Sequence, residues 1–289
     1  SFSRRRGLAL GISVVLTSLL PGLAAAETAL APEVSGLAAE QPGAPHTKPN
    51  AAAIAALPAG FAFVTPGKFT VAVSAFAPPI ATHAVDGETV IGADPEIARL
   101  IAEALGLELE LVSVPWPDWP LGVSSGKYDA VISNVGVTEQ RKEKFDFSTY
   151  RLGLHGFYVK TNSRITAIKE PRDVAGLRIV TGSGTNQEKI LLEWNKQNVA
   201  AGLKPVEILY FDDDAARVLA VVSGRADANF NPNAPQAFHA AKDGQIKVVG
   251  TVNAGWPHKS DVAITTRKGS GLADALTLAA NGLIKSGKY

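Results

Sequence analysis

Residues 129–132 (Asp129-Ala130-Val131-Ile132) form a short apolar run that reads as a buried strand, and Ser133-Asn134-Val135-Gly136 behind it is strand-end or loop chemistry. A strand that stops there frees backbone N–H groups just before Arg141. A guanidinium held beside free amides suits a carboxylate, because its planar fork of donors matches two carboxylate oxygens. Arg141 also stands among Glu139, Lys142, Glu143 and Lys144, and composition alone favours a solvated helix face for such a run.

Strands and helices follow in turn along the flanking segments, and where strands belong to an open α/β sheet their C-terminal edge is where ligands bind. Phe69 to Val73 alternates as a strand that Pro78-Pro79 ends, leaving Phe76 at its edge. Asp94 reads as the N-cap of a helix, with Pro95 at its first position and an apolar stripe from Ile97 to Leu105. Leu107 to Val114 is a second strand, and Pro115-Trp116-Pro117-Asp118-Trp119-Pro120 then breaks both helix and strand while offering two indoles. Further on, Leu177 to Val180 is a strand, Thr181 to Glu188 a Gly-rich turn, and Ile190, Leu191 and Trp194 lie on a helix. Such a turn points backbone amides at an anion, but it lacks the G-K-[ST] ending of a phosphate loop. Asp212-Asp213-Asp214 at a helix start reads as capping and dipole compensation, since no His or distant Glu lies at metal-ligand spacing.

With 289 residues, 46% hydrophobic and 19% charged, the chain can bury one large or two medium cores. A net charge of +1 gives no bulk attraction to nucleic acid or acidic membranes, and the lack of cysteine rules out disulfides and thiolate metal sites. Arg4-Arg5-Arg6, the apolar run Leu8 to Leu20 and Ala24-Ala25-Ala26 follow the order of a signal peptide spanning residues 1–26. Its apolar run is shorter than the roughly 20 residues that span a bilayer. Residues 27–66, rich in Ala and Pro, read as an extended linker with a short helix between Ala51 and Leu57.

Gly126-Lys127-Tyr128-Asp129-Ala130, Thr138-Glu139-Gln140-Arg141 and Phe145-Asp146-Phe147-Ser148-Thr149-Tyr150 together resemble the first-lobe pattern of the family 3 periplasmic solute-binding proteins, the amino-acid receptors of ABC importers. The resemblance implies an α/β, periplasmic binding protein-like two-lobed fold with a hinge and a ligand cleft. Lobe 1 would span residues 67–158 plus 254–289 and lobe 2 residues 163–250, with the first crossing near 158–164. It implies that Arg141 grips the ligand carboxylate and that Phe76 and Trp116 pack on the ligand from opposite sides. The turn Gly184-Thr185-Asn186-Gln187-Glu188 would cap the carboxylate through Thr185 and Asn186. Asn134 and Gly136 join the site from the strand end, Gly136 in place of a hydroxyl residue. Asn233 stands where such receptors place the Asp that pairs with the ligand ammonium, with Asn231 as the other candidate.

These expectations describe a periplasmic monomer without cofactor, metal or nucleic-acid partner, handing a small carboxylate or amino acid to an ABC permease in the inner membrane. An amino acid is the first expectation, its ammonium met by carbonyl groups, Asn233 and Glu188. A carboxylate without a primary ammonium is the second, because an uncompensated buried charge is costly. The chain is also similar to periplasmic cyclohexadienyl dehydratases, which need a carboxylic acid in the cleft; the aligned second-lobe positions are amides, and only Glu188 inside the cleft would restore that chemistry.

Overall fold

The computed structural model describes residues 37–289; the expected signal peptide (1–26) and the start of the expected linker lie outside the described residues. Two five-stranded mixed sheets carry the fold. The first contains β1 (Lys68–Val73), β4 (Glu108–Ser113), β5 (Ala130–Val131), β6 (Phe145–Leu152) and β12 (Asp261–Arg267), in the order β4-β1-β5-β12-β6. β1 runs parallel to β4 and β5, while β12 is antiparallel to β5 and β6. A separate hairpin joins β2 (Thr82–His83) to β3 (Val90–Ile91). β1 is buried from Phe69 onward because helices cover both faces of its sheet, so alternate side chains enter different cores. Phe69 and Val71 pack with Ile101, Ile264 and Leu276, whereas Ala72 packs with Trp119, Val123 and Phe145.

The second sheet holds β7 (Leu154–Lys160), β8 (Arg178–Thr181), β9 (Glu207–Tyr210), β10 (Ala228–Pro232) and β11 (Ile246–Asn253), ordered β11-β7-β10-β8-β9. Its core is aromatic: Phe157 stacks on Phe230 with ring centroids 3.9 Å apart and on Trp194 at 5.6 Å.

The first crossing between sheets falls at Gly153, earlier than the expected 158–164, because β6 ends at Leu152 and β7 begins at Leu154. Extended chain runs through the hinge on both sides, so hydropathy shows no break there. The return crossing follows Asn253, where β11 ends, and Gly153 N–H donates to Ser260 O at 3.0 Å while Ala254 N–H donates to Gly153 O at 3.1 Å. Glycine is required at that contact, since a Cβ would lie 2.6 Å from Ser260 O.

Two further expectations are corrected. The described part of the linker is docked on the first sheet's helices. α1 (Ala51–Ala55) buries Ala53 completely, and Asn50 Oδ1 caps it by accepting from Ala52 and Ala53 N–H at 3.1 and 3.2 Å. The small Ala side chains, which read as linker composition, let this segment close onto α8 (Leu272–Lys285), where Asn50 Nδ2 donates to Leu278 O at 3.3 Å. Asp94 is not an N-cap either: α2 (Ala93–Ala104) starts behind Gly92, whose φ is 127°. The Asp94 carboxylate turns inward, fully buried, and accepts from Asn134 N–H at 2.6 Å, Tyr150 OH at 2.8 Å and Arg151 at 3.2 Å. Burial raises its pKa against the pull of Arg151 and Tyr150.

Candidate functional site

A cleft of about 770 Å³ is lined from both sheets. Arg141 enters it from α4 (Glu139–Lys142), a four-residue helix capped by Thr138, whose Oγ1 accepts the Arg141 N–H at 3.2 Å. The T-x-x-R spacing is thus a cap followed by the third helical residue. Arg141 turns back from the surface, donates to Gly136 O at 2.8 Å and lies 5.8 and 5.4 Å from the ring centroids of Trp116 and Trp119. Burial lowers its pKa to about 10, so it stays protonated at neutral pH. Among the described residues no carboxylate forms an ion pair with it.

Phe76 and Trp116, both half-buried, line the cleft beside it. Trp119 is buried at the start of α3 (Trp119–Ser124) and braces the Trp116 ring at a centroid distance of 6.0 Å. Asn134 also lines the cleft. Its φ of 51° is held by its N–H bond to Asp94 and by Arg151, which donates to Asn134 Oδ1 at 2.8 Å.

From the second sheet, Thr185 caps α5 (Asn186–Ala200) by accepting Glu188 N–H at 3.2 Å, and its own hydroxyl donates to Gly182 O at 2.7 Å. Asn186 is buried against Gly136. Glu188 curls back to accept Gly184 N–H at 2.7 Å and is not among the lining residues. Lys189 spans the opening, its Nζ donating to Gln140 Oε1 at 2.6 Å; burial and the charge of Arg141 lower its pKa.

Asn233 does not line this cleft. It begins α7 (Asn233–Asp243), accepts from Tyr158 OH at 2.9 Å through Oδ1, and borders a smaller adjoining cavity of about 110 Å³ that shares Asn134 and Pro232 with the cleft. Asn231, buried on β10, lines the cleft instead. It donates to Asn229 Oδ1, and Asn229 donates to Gln236 Oε1 at 2.6 Å, so the polar chain continues into the second lobe.

Sequence reasoning missed His155 and Arg217. His155 on β7 is 5% exposed, lines the cleft and has its pKa lowered to about 3 by burial. A lone His within an apolar strand carries no signal that separates a core ring from a site ring. Arg217, on α6 (Asp214–Val222), donates to Phe211 O at 2.7 Å and Asp212 O at 3.0 Å beside the exposed Asp212 and Asp213. Asp213 caps α6 by accepting Ala216 N–H at 2.7 Å, and no metal-ligand cluster occurs among the described residues.

Residues 69–289 match the family model for bacterial extracellular solute-binding proteins, family 3. The L-cystine-binding protein TcyJ of Escherichia coli (strain K12) is 33% identical over 153 residues, which are 52% of this chain and 53% of that protein. The chain thus spans about half the length of that curated relative. Among solved structures, an ancestral arginine-binding protein bound to arginine superposes with a TM-score of 0.67 at 28% identity, covering 77% of this chain and 95% of the other. The ancestral amino acid-binding protein AncCDT-1, a precursor of cyclohexadienyl dehydratase, superposes with a TM-score of 0.66 at 26% identity over 77% of this chain and 92% of its own.

Proposed function

The chain belongs to the family 3 bacterial extracellular solute-binding proteins, and on that premise we propose that it is the substrate-binding receptor of an ABC importer. It captures a small amino acid or amino-acid-like carboxylate by closing two lobes around it, then docks as a monomer on an inner-membrane permease. A periplasmic location goes with this reading, supported by the basic, apolar and Ala24-Ala25-Ala26 order of residues 1–26, which is that of a cleavable signal peptide. One observation carries the reading: a half-buried, protonated guanidinium in a two-sided cleft, with no carboxylate ion-paired to it among the described residues. Removing a charge from water without a partner is unfavourable, and a ligand carboxylate supplies the partner. Because Arg141 comes from one lobe and Asn186 from the other, a ligand touching both favours the closed form.

A dehydratase would need a carboxylic acid positioned on its substrate. The lining acids are Asp212 and Asp213 beside Arg217, while Glu188 is held by Gly184 N–H, so the receptor reading is preferred to an enzyme. Calorimetric titration with amino acids and other small carboxylates tests it. Saturable binding that Arg141→Ala abolishes supports the receptor; sustained heat from prephenate or arogenate means turnover and overturns it.

A further inference from the structure

Two side chains in the cleft are buried with polar atoms unmatched. Asn186 Oδ1 and the His155 ring nitrogens make no well-formed hydrogen bond, the Ala254 backbone alone approaching the imidazole. Buried polar groups are nearly always satisfied, so a pair of unmatched ones on residues that line one cavity points to a ligand that completes them once the side chains turn toward it. Their position relative to Arg141 follows from the contacts. Asn186 abuts Gly136, whose carbonyl holds Arg141, and His155 pairs in register with Pro232, next to the buried Asn231. The Arg141 guanidinium therefore shares its cleft with neutral polar groups, the Asn186 amide nearest to it and Asn231 and His155 on the second sheet.

No carboxylate reaches those groups. Asp212 and Asp213 are exposed and act on Arg217, and Arg141, Lys144 and Lys189 line the cleft without an ion-pair partner among the described residues. We propose that the ligand is a carboxylate whose neighbouring substituent is an uncharged hydrogen-bonding group, a 2-oxo, 2-hydroxy or N-acyl function, and that His155 and Asn186 bind this group. This rests on the receptor reading above and narrows it. The burial that keeps His155 neutral would also strip an ammonium of its hydration, and no anion is there to replace it. A hydroxyl or an acylamino N–H can donate to Asn186 Oδ1, and a carbonyl can accept from the amide once it turns over, in each case without bringing a charge. The imidazole offers one donor and one acceptor, and the Asn186 amide serves a donor or an acceptor by turning over.

The test is calorimetric titration of the whole chain with matched acids: 4-methyl-2-oxopentanoate, L-leucine and 4-methylpentanoate, then phenylpyruvate, L-phenylalanine and 3-phenylpropanoate. The oxo acid of a set is expected to bind about tenfold or more tighter than both others. His155→Phe should erase its advantage over the unsubstituted acid and leave the unsubstituted acid unchanged, with His155→Gln retaining part of the advantage. Tighter binding of the amino acid overturns the inference and leaves the receptor standing. Equal weakening of all three acids by His155→Phe makes His155 a packing residue and also overturns it. Failure of every carboxylate to bind overturns the receptor reading, and the inference with it. Should His155→Phe not fold, the wild-type order and His155→Gln decide.

Discussion

Gly136 and Asn186 face each other across the cleft so closely that a Cβ on Gly136 would lie 2.8 Å from Asn186 Nδ2 and 3.0 Å from Ser260 Oγ. The two residues form one spatial unit: the Asn186 amide occupies the volume that a side chain at position 136 would fill. Gly136→Ser alone is expected to displace Asn186 and weaken ligand binding about tenfold, roughly 1.4 kcal/mol. Pairing it with Asn186→Thr should restore most of the loss, so titrations of the four proteins would show strong non-additivity.

Arg141 holds its proton less tightly in the folded protein, about 10, than at its usual 12.5. The resulting penalty on the native state is present below pH 10 and fades as pH rises through that window. Carboxylate affinity should stay flat from about pH 6 to about 9 and fall once pH passes about 10. Arg141→Ala should cost at least about 100-fold in affinity without lowering the melting temperature, because its one hydrogen bond to Gly136 O does not offset burying the charge. Arg141→Lys should not rescue binding, since an ammonium lacks the planar fork.

His155 titrates near 3 when folded and near 6.5 when unfolded, so the unfolded chain binds more protons between those values. The stability it contributes is complete above about pH 6.5 and is lost as pH falls toward about 3. Urea denaturation from pH 7 to pH 4 should show a steep loss in the wild type and a shallower one in His155→Gln.

Asp94 is the acid that anchors Arg151 and the left-handed Asn134. Asp94→Ala strands a mostly buried guanidinium and should destabilise the fold by about 3–5 kcal/mol in urea melts. Ligand binding should weaken too, because Asn134 lines the cleft and loses the bond that holds its backbone.

Much of this site is legible in the chain because its signals are local. Thr138 three residues before Arg141, the Gly-rich turn before Asn186 and the proline stop behind Phe76 depend on residues within one turn or one strand end, and Arg141, Asn186 and Phe76 all line the cleft. The exchange of Asn233 for Asn231 shows the limit of that reading. Spacing along the chain could not separate two asparagines two residues apart, whereas the end of β10 at Pro232 and the start of α7 at Asn233 send them to different cavities.

The sequence by itself determined the alternation of strands and helices and the capping role of the acidic run at the start of α6, since each follows from near neighbours and backbone chemistry. Only the tertiary structure decided that the crossing is Gly153, that the Ala-rich segment from residue 51 is docked, and that Asp94 turns inward. It also decided that His155 lines the cleft. Each of these depends on burial and close approach between segments far apart in the chain, whose free energies are set by three-dimensional neighbours and leave no periodicity in the sequence.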